Sequence, residues 1–160
     1  EAISKWTDVT LANPNIKLHL IGKLQTNKVK FVIKLFDYIH SVDSKKLAKK
    51  IADEEIKQNK KIKIFLQVNI GDEEQKSGII KDHLDDLYLY CKDLNLDVVG
   101  LMCIPPPSDK PEIFFKEMAL LTKKLNLLEL SMGMSSDYVE AAKNSATYLR
   151  IGSNIFGKRS

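Results

Sequence analysis

The sequence predicts an α/β fold with a parallel sheet, and three observations carry that prediction. Strand-type and helix-type stretches alternate six times along the 160 residues, the pattern of strand–crossover–strand units with right-handed connections. The clearest strand, IKIFLQVNI at 62–70, is apolar on both faces near its end, as a sheet covered by helices requires. The strands stop at glycine, proline or polar turns: Gly22 after the first, Gly71 to Gly78 after the third, and Pro105-Pro106-Pro107 after the fourth. An open doubly wound sheet and a barrel both satisfy this pattern. Neither GxGxxG nor GxxxxGK[ST] follows any strand, which weakens the nucleotide-binding forms of the open sheet.

Each element has a local reason. Ile3, Trp6, Val9 and Leu11 recur at helical spacing and stop at Asn13-Pro14-Asn15, so residues 1–12 read as a helix. IKLHLI at 16–21 alternates as a strand, followed by a helix from about Asn27 to Phe36 with Asn27 as a cap. A short strand, Tyr38 to Val42, leads to a helix over 45–58 capped by Asp43 or Ser44. After the strand at 62–70, a helix runs from about Lys81 to Leu94 and a strand from Asp97 to Ile104. The three prolines cannot continue a ladder and force a stiff loop. A helix from about Glu112 to Leu125 precedes the apolar run Leu127, Leu128, Leu130, where a strand ends in a tight turn over 131–135. Asp137 with Glu140 forms a capping box for a short helix, and a strand over Tyr148 to Ile151 ends at Gly152 and Ser153.

Composition bounds the function classes. A hydrophobic fraction of 44% with 29% charge describes a soluble globular chain, and 160 residues suffice for a single domain with a real core. The net charge of +4 comes from scattered lysines, with Arg150 and Arg159 the only arginines. That argues against nucleic acid, whose sites concentrate arginine with aromatics. Cys91 and Cys103 lie in apolar segments without CxxC spacing, as reduced thiols in a cytoplasmic compartment do. No apolar run reaches membrane-spanning length. His19, His40 and His83 have no companion ligand at i+3 or i+4, which leaves metal chemistry unsupported.

Candidate site residues lie where parallel strands end. Gly152, Ser153 and the 131–135 turn, with Ser131, Met132 and Gly133, read either as a phosphate cup or as two ordinary βα turns. His19, Gly22, Gln25, Asn27 and Lys28 follow the first strand; Gln67, Asn69, Lys76 and Ser77 the third; Met102 the fourth. Gln67 and Asn69 place two amides on one side of a strand, where buried amides need partners. Arg150 interrupts an apolar strand and must find an acceptor, either a ring nitrogen or a structural salt bridge.

The series HLIGKLQTNK (19–28), QVNIGDEEQKSGI (67–79), GLMCIPPP (100–107), LSMGMSSDYVEA (130–141) and RIGSNIFGKR (150–159) resembles the pyridoxal phosphate homeostasis proteins, single-domain relatives of the N-terminal barrel of alanine racemase. The resemblance implies a (β/α)8 TIM-barrel-like fold, here incomplete with about six strand–helix units, so that residues 1–160 form one domain, the C-terminal three quarters of the barrel. It implies a non-catalytic carrier of pyridoxal 5′-phosphate (PLP), serving PLP homeostasis and PLP-dependent apoenzymes. Ser131 and Met132, with Gly133 in the same turn, and Gly152 with Ser153 would then hold the phosphate. Arg150 would meet the pyridine nitrogen, and His19, Asn69 and Met102 would line the ring.

The chain departs from the family in two places. The first two βα units, including the Schiff-base lysine, have no counterpart here, so any PLP binding would be non-covalent and weaker. The missing units point to the C-terminal part of a longer protein, a degenerate product, or a chain that borrows strands in an oligomer, where the full-length family is expected to be monomeric. The second departure is Ser145-Ala146 in place of a glycine after the short helix, which predicts a helix end without its left-handed residue. A racemase-like PLP enzyme and a cofactor-free binding fragment are the alternatives to a carrier. A racemase requires a second acid/base from a further domain.

Overall fold

The computed structural model describes residues 2–108 and 110–157. Six parallel strands form one sheet in sequence order: β1 (His19–Leu20), β2 (Tyr38–Val42), β3 (Lys63–Val68), β4 (Asp97–Cys103), β5 (Glu129–Met134) and β6 (Tyr148–Arg150). Helices connect them: α1 (Ala2–Ala12) before β1, then α2 (Val29–Leu35), α3 (Lys45–Gln58), α4 (Leu84–Asp93), α5 (Glu112–Lys124), α6 (Tyr138–Lys143) and α7 (Ser153–Phe156). The predicted alternation holds throughout. Of the apolar positions expected along α1, Trp6 packs against the core; the side chains of Ile3 and Leu11, like Arg159, lie outside the described residues.

The sheet curls strongly. In a flat sheet the first and last of six strands stand about 24 Å apart, yet the rings of His19 on β1 and Tyr148 on β6 have centroids 5.5 Å apart. Its two faces are chemically distinct. Ile39, Ile64, Leu66, Val68, Leu101, Leu130 and Met132 point to the helices and form the main core with Ile33, Ile51, Leu87, Phe115 and Met118. The alternate positions, His19, Tyr38, His40, Phe65 and Tyr148, meet one another on the concave face.

Helix ends are set by local chemistry. Ser44, not Asp43, caps α3 by accepting from the Leu47 N–H. Four helices close in the same way: left-handed Asn59, Asn95, Asn126 and Ser145 follow α3, α4, α5 and α6. At all four, the next N–H returns to the helix, Lys60 to Glu55, Leu96 to Cys91, Leu127 to Thr122 and Ala146 to Ala141, the Schellman arrangement. Ser145 therefore adopts the left-handed conformation (φ 71°) that its lack of a glycine was expected to forbid.

Three further expectations are corrected. β1 is two residues long instead of six, because it has a neighbour on one side only and pairs just His19 and Leu20 with β2. β5 does not stop at Ser131 but runs to Met134, with an irregularity in its pairing with β6 between Ser131 and Met134; Gly133 at φ +88° absorbs it. The Asp137 carboxylate makes no capping bond into α6. It accepts from the Met134 N–H at 2.6 Å and so closes the turn behind it, while Glu140 pairs with Lys143.

Candidate functional site

All six strands direct their carboxyl ends to one edge of the curled sheet, where ligands of such folds bind. Two turns meet there. The Gly152 N–H donates to Ser135 Oγ at 3.2 Å, and the Asn154 amide donates to the Ser135 carbonyl at 3.1 Å. A Cβ built on Gly152 would find open space. Ser153 begins α7, so its N–H is one that a helix start leaves without an intrahelical partner. The residue brought to Gly152 and Ser153 is thus the last of the 131–135 segment, Ser135, and not the first.

Ser131, Met132 and Gly133 occupy other places. Met132 is fully buried in the core between sheet and helices, so only its backbone is available to a ligand. Gly133 lies against α6, where a Cβ would come within 2.5 Å of the Ala141 methyl group. Ser131 is fully buried on the concave face, where its hydroxyl accepts from Arg150 Nη1 at 2.8 Å. The second arm of that guanidinium donates to the Cys103 carbonyl at 2.7 Å, while its Nε is buried without a partner. Arg150 is held by a hydroxyl and a carbonyl instead of the salt bridge that was one expectation. Burial works against its charge and lowers its pKa, with Cys103 and then Asp137 opposing that shift.

Ser131 also joins a pair of histidines. His40 Nδ1 lies 2.9 Å from Ser131 Oγ and His40 Nε2 lies 2.9 Å from His19 Nδ1. Burial, helped by electrostatic interaction with His19 and Arg150, pushes His40 down to about 3, and burial lowers His19 as well. Both imidazoles are therefore neutral at physiological pH. Around them His19 stacks on Tyr38 at 4.1 Å and His40 on Phe65 at 4.2 Å, with Tyr148 edge-on to His40 and Phe65. The sequence singles out His40 only as a histidine without a companion metal ligand, and gives no sign of a role for Tyr38 or Phe65.

Met102 is fully buried and pairs in register with Gln67 and Ser131, which puts it on the concave side. Asn69 spends its amide on its own loop, donating to the Glu73 carbonyl and accepting from the Glu73 N–H, and Gln67 donates to the Ser77 carbonyl. The two amides thus find the partners their burial demanded by fastening the 71–78 loop. In the 22–28 segment, the Gly22 carbonyl accepts from Ser41 Oγ, while Gln25, Asn27 and Lys28 are exposed. A cavity of about 680 Å³ lies at this edge between the proline loop and the turn after β5. A larger groove of about 780 Å³, lined by Leu120, Leu127 and Leu128, sits at the opposite edge, away from the polar groups described. Among the described residues no cluster of three His, Cys, Asp or Glu can hold a metal, and no helix is long and apolar enough to cross a membrane.

Comparison with known proteins places these residues in context. The family described as alanine racemase, N-terminal domain, matches residues 7–160. A pyridoxal phosphate homeostasis protein of Aquifex aeolicus is 39% identical, covering 93% of this chain and 70% of that protein. One from Synechocystis is 40% identical, covering 99% and 74%. The structure of PipY from Synechococcus elongatus with PLP bound is similar at a TM-score of 0.88 and 32% identity, covering 98% of this chain and 77% of PipY. Alanine racemase of Clostridium difficile shares the fold, at a TM-score of 0.72 and 15% identity.

Proposed function

Since the chain belongs to the pyridoxal phosphate homeostasis proteins of the alanine racemase N-terminal domain family, we propose that it is a non-catalytic PLP-binding protein of intracellular PLP homeostasis. The cofactor brings a reactive aldehyde on a pyridine ring with a phosphate ester. The observation that carries the reading is the pairing, at one sheet edge, of an open turn at Gly152 with a buried, unpartnered donor on Arg150. Gly152 leaves open space beside Ser135 and Ser153, and backbone N–H groups at such turns favour phosphate. Arg150 Nε is buried without an acceptor, and a pyridine nitrogen is an acceptor that such a donor keeps unprotonated.

In this reading Ser135, Gly152 and Ser153 hold the phosphate, with the backbone of Ser131, Met132 and Gly133 forming the strand beneath it. Arg150 meets the ring nitrogen; His19 and Met102 floor the ring, and Asn69 shapes the loop at its side. These contacts are non-covalent. Residues 1–160 act as one domain, and release of the cofactor to PLP-dependent apoenzymes belongs to the same proposal. The free, buried thiols Cys91 and Cys103 support a reducing, cytoplasmic setting.

Equilibrium dialysis of the full chain against PLP and against pyridoxal tests the reading. Saturable PLP binding, at least about tenfold tighter than pyridoxal, corresponds to the roughly 1.4 kcal/mol that a charge-assisted phosphate contact supplies. No saturable PLP binding, or equal binding of both compounds, rejects it.

A further inference from the structure

His40 sits in the middle of β2, 2% exposed, two residues before the strand's carboxyl end at Val42. It stands in an unbroken series of polar contacts: His19 Nδ1 to His40 Nε2, His40 Nδ1 to Ser131 Oγ, Ser131 Oγ to Arg150 Nη1, and Arg150 Nη2 to the Cys103 carbonyl. The proton positions follow from donor and acceptor capacity. A guanidinium only donates, so Ser131 Oγ accepts there and keeps one hydrogen to give; His40 Nδ1 is the acceptor at 2.9 Å. Nδ1 is then bare, the His40 proton sits on Nε2, and it goes to His19 Nδ1. Each contact of the series then joins one donor to one acceptor. The other polar groups packed against His40 are the phenols of Tyr38 and Tyr148, and the only charge in the series is that of Arg150.

A guanidinium with two arms fixed in this way cannot rotate. Ser131 and Cys103 hold the Nη atoms, and Nε is the donor left over. We infer that His40 is a positioning residue: by accepting the Ser131 hydroxyl's hydrogen bond it locks Arg150 in the orientation that leaves Nε–H, unpaired within the protein, as the donor for a bound acceptor. The inference rests on the reading that this acceptor is the pyridine nitrogen of PLP. A protonated or absent imidazole at position 40 would turn the Ser131 hydroxyl and free the guanidinium, without touching the turns at Ser135 and Gly152.

Two measurements on the full chain test this. The first needs no cofactor: ¹⁵N chemical shifts of the His40 ring are expected to report the Nε2–H tautomer, unchanged from pH 5.5 to 8. The opposite tautomer, or a charged ring at pH 5.5, overturns the inference whatever the chain binds. The second compares PLP and inorganic phosphate binding in wild type, His40→Phe and His40→Asn. Phenylalanine keeps the stacking on Phe65 and removes both nitrogens, whereas asparagine keeps an acceptor near Nδ1. His40→Phe is expected to bind inorganic phosphate within about twofold of wild type, to bind PLP roughly tenfold more weakly, and to give the bound ring an absorbance that changes with pH. His40→Asn is expected to recover most of the PLP affinity.

Wild-type affinity and spectrum in His40→Phe overturn the inference, as does an asparagine variant no better than phenylalanine. Should His40→Phe fail to fold, Ser131→Ala cuts the same link from the other side and is expected to show the same spectral change; an unchanged spectrum there is equally fatal. Failure of wild type to bind PLP rejects the proposed function, and the tautomer measurement then decides the positioning role alone.

Discussion

Gly152 donates its N–H to the Ser135 hydroxyl across 3.2 Å, so the turn after β5 and the turn after β6 are fastened to each other at the carboxyl-end edge of the sheet. Replacing the hydroxyl removes that tie and, on the proposed function, a phosphate donor. Ser135→Ala is expected to weaken PLP binding about tenfold while leaving pyridoxal binding unchanged, which competitive dialysis resolves; a neutral hydrogen bond contributes roughly 1 kcal/mol and one to an ion more.

Beneath that turn the backbone of β5 touches α6. With Gly133 at φ +88° and its absent Cβ 2.5 Å from the Ala141 methyl, Gly133→Ala meets both a disfavoured conformation and an overpacked contact. A loss of about 2–4 kcal/mol in stability is expected, read as a lower urea midpoint at unchanged slope. A loss below about 1 kcal/mol means the strand can relax around the methyl group.

The opposite substitution is available at the far end of the same helix. Ser145 closes α6 at φ 71°, a conformation that costs a serine more than a glycine. Ser145→Gly is expected to raise stability by roughly 0.5–1 kcal/mol. Its side chain is exposed, so a change in thermal midpoint upward with no change in ligand binding is the expected pair of results.

The histidine pair makes stability depend on mild acid. Burial pushes His40 down to about 3 in the folded chain, whereas the unfolded chain takes up that proton near 6.5. The unfolded state therefore binds more protons below pH 6.5, and stability, fully present above it, falls as pH drops toward 3. For one proton the slope approaches about 1.4 kcal/mol per pH unit. Urea midpoints from pH 7 to 5 are expected to fall in wild type and to flatten in His40→Phe; a flat wild-type profile contradicts the buried neutral imidazole.

Much of this fold was legible because its signals are local. The apolar runs at 62–70 and 97–104, the three prolines and the glycine-ended strands mark the sheet, and Arg150 announced itself as a charge in an apolar strand. Asparagines after α3, α4 and α5 are local helix stops as well, although they went unread. What the sequence hid is long-range. His40 acquires its role from His19 and from Ser131, 21 and 91 residues away, so periodicity in β2 shows only a buried histidine. That Ser135 and not Ser131 meets Gly152 has the same origin. Whether β5 stops at the first serine or continues to Met134 is decided by its pairing with β6 and by the left-handed Gly133, neither of which is visible in the segment alone.

The central claim, that the edge between Ser135 and Gly152 holds the PLP phosphate, is tested most directly by ³¹P NMR of PLP in the presence of the full chain. A phosphate ester loses its second proton near pH 6 in water, and N–H donors that prefer the dianion move that midpoint down. The account predicts a shifted ³¹P resonance that stays dianionic below pH 6 at saturating protein. A resonance that titrates as free PLP contradicts it.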